Sequence, residues 1–131
     1  MTQEQKDLLL KCLYARLPYG VKCEVIKRRI DGEIVYIRTG SDALELTVNN
    51  IKEIVTNSMY EIKPYLFPLS SMTEEQSNIY GDFCYSVIHS LAWDMQAELN
   101  ELIDWLNKNM FDWRGLIPKG LAKDATGLNI Y

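Results

Sequence analysis

Histidine is nearly absent from this chain, cysteine is sparse, and there is no long apolar run. Each shortage excludes something. His89 is the only histidine, so metal sites and acid–base machinery built on several imidazoles are ruled out. The three cysteines, Cys12, Cys23 and Cys84, are odd in number and widely spaced. They form no CxxC or metal-ligand pattern and sit beside apolar residues, which reads as reduced, buried thiols. No stretch reaches the roughly 20 apolar residues that a membrane-spanning helix needs. The opening MTQEQKDLLLKCL is polar and mixed in charge, unlike a secretory signal, so the expected location is cytoplasmic. Among the glycines there is neither a GxGxxG nor a GxxxxGK[ST] phosphate cradle, and no loop has EF-hand spacing. No cofactor is expected.

What is present is ordinary globular material. The chain has 131 residues, 47% of them hydrophobic and 24% charged. That is enough for one domain with its own core and no disulfides. The net charge of −4 is unevenly placed. Residues 1–40 carry eight Lys/Arg and five Asp/Glu, a net of +3; residues 41–131 carry six and thirteen, a net of −7. The acidic part repels nucleic acid, and the first third need not.

The periodicity divides the chain into a helix (1–17), a β-rich part (18–69) and a helical part with a tail (70–131). Leu9, Leu10, Leu13 and Leu17 recur at helical spacing, Thr2 offers an N-cap, and Pro18 and Gly20 end the helix. Val21, Cys23 and Val25 then alternate with polar residues. Asp31-Gly32 is a strong signal for a two-residue hairpin turn, with 34–38 as the returning strand. Further strands are expected over 44–48, 51–55 and 59–65, with Pro64 making the last an edge strand or marking its end. Thr73-Glu74-Glu75-Gln76 fits a capping box. Beyond it Tyr80, Cys84, Val87, Ile88, Leu91 and Met95 share one helical face. Leu99, Leu102, Ile103 and Leu106 make the stripe of a last helix over about 97–109; the two stretches are either one continuous helix or two with the break at 90–93. The fold class is α+β: an N-terminal helix, a small antiparallel sheet or barrel of four or five strands, two C-terminal helices and an ordered irregular tail.

Candidate chemistry is thin. Cys84 and His89 are five residues apart, about 140° around a helix, and do not face one another. Asp94, Glu98 and Glu101 share one side of a helix, but a solvated helix face has the same pattern. Glu74 and Glu75 suit the first turn of a helix through its macrodipole. The residues therefore point to no enzyme. Two binding surfaces remain. Lys22, Lys27, Arg28, Arg29 and Arg38 form a basic hairpin suited to nucleic acid, although Glu24, Asp31 and Glu33 interrupt it. In the acidic half, Trp93 and Trp113, flanked by Asp94, Glu98 and Arg114, are candidate anchors for a protein partner. Trp105 and Phe111 read as core.

Three strings, LLLKCLYARLPYG (8–20), IKPYLFPLSSMTEEQ (62–76) and WLNKNMFDWRGLIPKGLAKDATGLNIY (105–131), resemble a family of small proteins of gut Bacteroidales, their phages and other mobile elements. The resemblance covers roughly half of the chain. It implies a mobile-element accessory protein and carries over no functional residue. With the charge asymmetry, it makes a host protein the expected partner and an inhibitory, anti-defence role the expected outcome. Nucleic-acid binding is the second reading.

Overall fold

A computed structural model describes residues 2–25, 30–39, 43–48, 51–56 and 62–131. Helix α1 spans Gln3–Arg16, and Thr2 closes it with Gln5 in a reciprocal capping box. A 3-10 turn over Leu17–Tyr19 follows. Gly20 ends it at φ +75°, a left-handed conformation that suits glycine. Strands β1 (Lys22–Val25), β2 (Ile30–Thr39), β3 (Ala43–Val48), β4 (Ile51–Thr56) and β5 (Ile62–Leu66) come next. Helices α2 (Glu74–His89) and α3 (Met95–Lys108) and the short strand β6 (Lys123–Asp124) complete the chain.

The sheet order is β4-β3-β2-β1-β5-β6. It runs from one edge to another, so the expected α+β class holds and the sheet alternative, not the barrel, is the one adopted. Among the described strands the pairings are antiparallel except β5 with β6, a parallel addition supplied by the tail, which an isolated parallel bridge between Phe67 and Phe111 accompanies. Pro64 does not put β5 at an edge, because β1 flanks it on one side and β6 on the other. The β6 pairing begins only at Tyr65, past the residue that lacks an N–H.

The expected turn at Asp31-Gly32 is displaced. Both residues are paired within the β1–β2 ladder, opposite Glu24 and Cys23, and the chain reverses between Val25 and Ile30. Burial outweighs local turn preference here. Val21, Cys23 and Ile34 are all 1% exposed or less, and the Ile34 N–H donates to the Val21 carbonyl at 2.8 Å. Shifting a strand by one residue would turn such a set to solvent.

The main core joins α1 (Leu9, Cys12, Leu13) to the strands (Val21, Cys23, Ile34, Ile62, Leu66) and the tail (Leu116, Leu121, Ala122). A second, smaller cluster forms around Leu102, Leu106 and Phe111 at the base of the helices. Between them lies the end of α3. The Phe111 N–H donates to the Leu106 carbonyl and the Met110 N–H to that of Asn107, the two bonds of a Schellman stop. The left-handed position, φ +58°, is held by Met110 rather than glycine. Methionine strains the backbone there by about 1 kcal/mol, but its side chain is 3% exposed and fills the main core. The tail is ordered, as expected. The Tyr131 hydroxyl accepts from the Lys22 N–H and donates to the Tyr65 carbonyl, each at 2.8 Å. Burial pushes that hydroxyl up to about 12.

Candidate functional site

Helices α2 and α3 are joined by five residues, 90–94. Trp105, near the end of α3, lies against Tyr80 and Phe83, near the start of α2, so the two helices run antiparallel. Ser90 leaves α2 in an extended conformation, its Oγ donating to the Val87 carbonyl at 2.9 Å. The Asp94 and Met95 N–H groups donate back to Leu91 and start α3.

The apolar seam of this hairpin is covered at one end only. On α3, Met95, Leu99, Leu102 and Leu106 fall within about 60° of one another around the helix. Their exposure climbs along the helix toward the connection: Leu106 4%, Leu102 9%, Leu99 37%, Met95 43%. No residue of α2 is fully buried. Ile88 is 73% exposed, Leu91 57% and Trp93 77%. The buried residues of the second core cluster lie toward the base of the hairpin, where Phe67, Met72 and Phe111 supply a third side, and of the last turns of α2 only Cys84 and Val87 pack against it. At the tip two helices have only each other, and a pair can bury just one narrow stripe. Single exposed apolar residues are commonplace; five large ones at one end of a hairpin make this the candidate surface.

Charge is equally one-sided. From residue 64 to residue 107 there is no lysine or arginine, while Glu74, Glu75, Asp82, Asp94, Glu98, Glu101 and Asp104 are present. Glu74 and Glu75 lie in the first turn of α2 and Glu98 in that of α3, where the macrodipole accounts for them. It does not account for Asp82, Glu101 and Asp104. Asp82, Glu98 and Glu101 line a groove of about 250 Å³ between the helices, beside Ile79 and Phe83.

The residues anticipated for a protein partner are not all together. Trp93, Asp94 and Glu98 are at the tip. Trp113 is half-buried on the second core cluster, and its Nε1–H donates to Asn107 Oδ1 at 2.9 Å, near the opposite end of α3. About 20 Å of helix separates the two regions. Arg114 lies over the Trp113 ring at 4.2 Å. Of the basic hairpin, Lys27, Arg28 and Arg29 lie outside the described residues. Arg38 is on β2 in register with Glu45. Lys22 is engaged within the fold: its Nζ donates to the Ile130 carbonyl at 2.6 Å and lies 5.7 Å from the centre of the Tyr131 ring. Ile88, Leu91, Met95 and Leu99, read from periodicity as core, are the surface that sequence reasoning missed. The 44 residues without lysine or arginine were the available signal.

Other chemistry does not assemble. Cys84 packs on the second cluster, while His89 is exposed and rests on Tyr85 with ring centres 4.1 Å apart. Among the described residues no three His, Cys, Asp or Glu side chains converge as metal ligands. A cleft of about 500 Å³ lies between the start of α2 and the tail, with Phe67, Phe111 and Tyr131 in its wall. Several of its polar groups are committed internally: Thr73 and Gln76 to each other's backbone N–H, Ser71 to Pro68, Asn109 to Trp105; Lys108 and Tyr19 also line it. A specific ligand site needs convergent free donors or acceptors.

Burial pushes the Cys12 thiol up to about 11, and Cys23 is fully buried. Cys84 is half-buried. A neutral-pH assay with an aromatic disulfide reagent should therefore modify one thiol per native chain, and three in denaturant. Prompt reaction of a second thiol in the native protein would contradict this packing.

A comparison with protein-family profiles, with curated proteins and with solved structures finds no match. A functional reading thus rests on the chain's own geometry.

Proposed function

We propose that this is a non-enzymatic accessory protein that acts by binding a protein partner through the tip of its α2–α3 hairpin. The observation that carries this reading is the uncovered seam at the tip, with Ile88, Leu91 and Trp93 between 57% and 77% exposed. Each such side chain contributes about 1.5–3 kcal/mol when it moves from water into an interface. Trp93 beside Asp94 has the makings of an interface anchor. In the mobile-element setting that the Bacteroidales resemblance implies, the partner is a host protein, and occupying its working surface inhibits it.

The test is affinity capture from host lysate, with and without nuclease, using the wild-type chain and a Trp93→Ala/Ile88→Ser variant. The expected result is a stoichiometric protein that survives nuclease and is lost, by at least about tenfold, with the variant. Capture that disappears with nuclease, and is insensitive to the tip, would transfer the function to nucleic acid and to the basic hairpin.

A further inference from the structure

We infer that the partner's contacting element is a cationic amphipathic helix, laid along the open seam of α2 and α3 with Lys or Arg flanking its apolar anchors. This rests on the reading that the hairpin tip docks a protein, and adds what that protein must present.

Two features select this occupant. The first is shape. An antiparallel helix pair with an apolar seam uncovered along half its length offers ridges and grooves to a third helix, which would complete a three-helix layer. Met95 and Leu99 continue the stripe whose other half, Leu102 and Leu106, is already packed at the base. The second is charge. The seam at the tip is flanked by Asp94 and Glu98, and the neighbouring groove by Asp82, Glu98 and Glu101, with no lysine or arginine between residues 64 and 107 to neutralise them. Potentials across an interface are matched in sign, and the long-range part steers encounter. A second copy of this chain would bring seven more carboxylates against these seven. An anionic membrane or a nucleic acid is repelled for the same reason. Lysine and arginine suit the complement because their aliphatic stems lie along apolar surface while their charged ends reach the carboxylates.

The probe is a synthetic helical peptide of leucine and lysine, free of tryptophan and fluorescently labelled, paired with a counterpart carrying glutamate for lysine. Anisotropy should show saturable one-to-one binding of the leucine–lysine peptide, weakening as salt is added, and none of the leucine–glutamate peptide. Tryptophan emission should shift to the blue on binding, and Trp93→Phe should remove most of the shift. Asp94→Lys with Glu98→Lys should weaken binding at least about tenfold, which is about 1.4 kcal/mol. Leu91→Ser with Ile88→Ser should do the same. Glu4→Lys with Asp7→Lys, exposed on α1, should change it less than about twofold.

Absence of binding overturns the inference. So does equal binding of the leucine–glutamate peptide, or a loss at Glu4 and Asp7 equal to that at the tip, which would mean diffuse charge attraction. A dimer in sedimentation that Leu91→Ser dissolves would assign the seam to a second copy. Should the peptide fail while cellular capture still depends on Trp93 and Ile88, only the charge assignment falls. Should both fail, the docking reading falls with it.

Discussion

Replacing Arg16 with alanine should destabilise the protein by about 3–5 kcal/mol, a large part of the 5–15 kcal/mol that folded domains have in total. Arg16 sits in the last turn of α1, where a cation favours the helix dipole, yet its side chain is fully buried. Its Nη1 donates to the Cys12 carbonyl at 3.2 Å and the Cys12 Sγ at 3.0 Å, and its Nη2 to the Phe111 carbonyl at 2.6 Å. Its Nε is buried without a partner. Burial lowers the guanidinium pKa from its usual range, while the fields of Cys12, Asp112 and Tyr131 oppose that fall. The bond to Phe111 ties α1 to the segment that leaves α3, across 95 residues of sequence. Alanine removes all three hydrogen bonds, leaves the Phe111 carbonyl with only the Trp113 N–H at 3.1 Å, and opens a cavity. Urea denaturation should show a lower midpoint at unchanged slope. Arg16→Met should recover the part due to volume and leave the part due to the lost hydrogen bonds. A midpoint unchanged in Arg16→Ala would mean that the guanidinium is not built into the interior as described.

Asp112→Ala should cost about 3 kcal/mol, because hydrogen bonds to a charged group contribute about 1.5–3 kcal/mol each and two are lost. Asp112 is 6% exposed, and its carboxylate accepts from the Leu116 N–H at 2.7 Å and the Ile117 N–H at 2.8 Å. Those bonds fold the tail back so that Leu116 enters the main core at 0% exposure. The melting temperature should fall by about 10 °C, on the scale of a few degrees per kcal/mol for a chain of this size. Asp112→Asn, which keeps one acceptor oxygen, should lose about half as much. Below its melting point the Asp112→Ala chain should still bind the leucine–lysine peptide, since Asp112 belongs to the base of the structure and not to the tip. Equal melting of Asp112→Ala and wild type would remove the carboxylate from the account of the tail.

Much of the architecture was legible before the structure. Thr2 and Thr73 stand at their helix starts, each with glutamine three residues on, and both pairs close as capping boxes. Period two between Val21 and Val55 marked the strands to within a few residues. The sequence left open whether the last two helices are continuous, with 90–93 as the place for a break; the structure breaks them at 90–94. What failed did so for nameable reasons. Asp31-Gly32 has turn chemistry, but the register that buries Cys23 and Ile34 places it inside a ladder. Strand β6 is two residues long and exists only because the tail returns to β5, which no local pattern encodes. The stop of α3, by contrast, is where it was expected, near 109, although methionine rather than glycine takes its left-handed position.

The candidate site was only half legible, and the division follows from what periodicity can carry. Local sequence alone determined the α+β class, the helix caps, the strand alternation, the acidic character of the C-terminal half and the choice of Trp93 as an anchor. These depend on neighbours along the chain. The tertiary structure decided which apolar stripe is covered. Spacing put Ile88, Leu91, Met95 and Leu99 on a face as apolar as that of Leu102 and Leu106, and only the reach of the second core cluster leaves the first four exposed and the last two buried. It likewise turned Asp112 inward, placed Trp113 about 20 Å of helix from Trp93, and engaged Lys22 with the C-terminal carbonyl of Ile130. A repeat along the sequence says which residues share a side. What lies against that side depends on contacts between distant segments, and these form only when the whole chain folds.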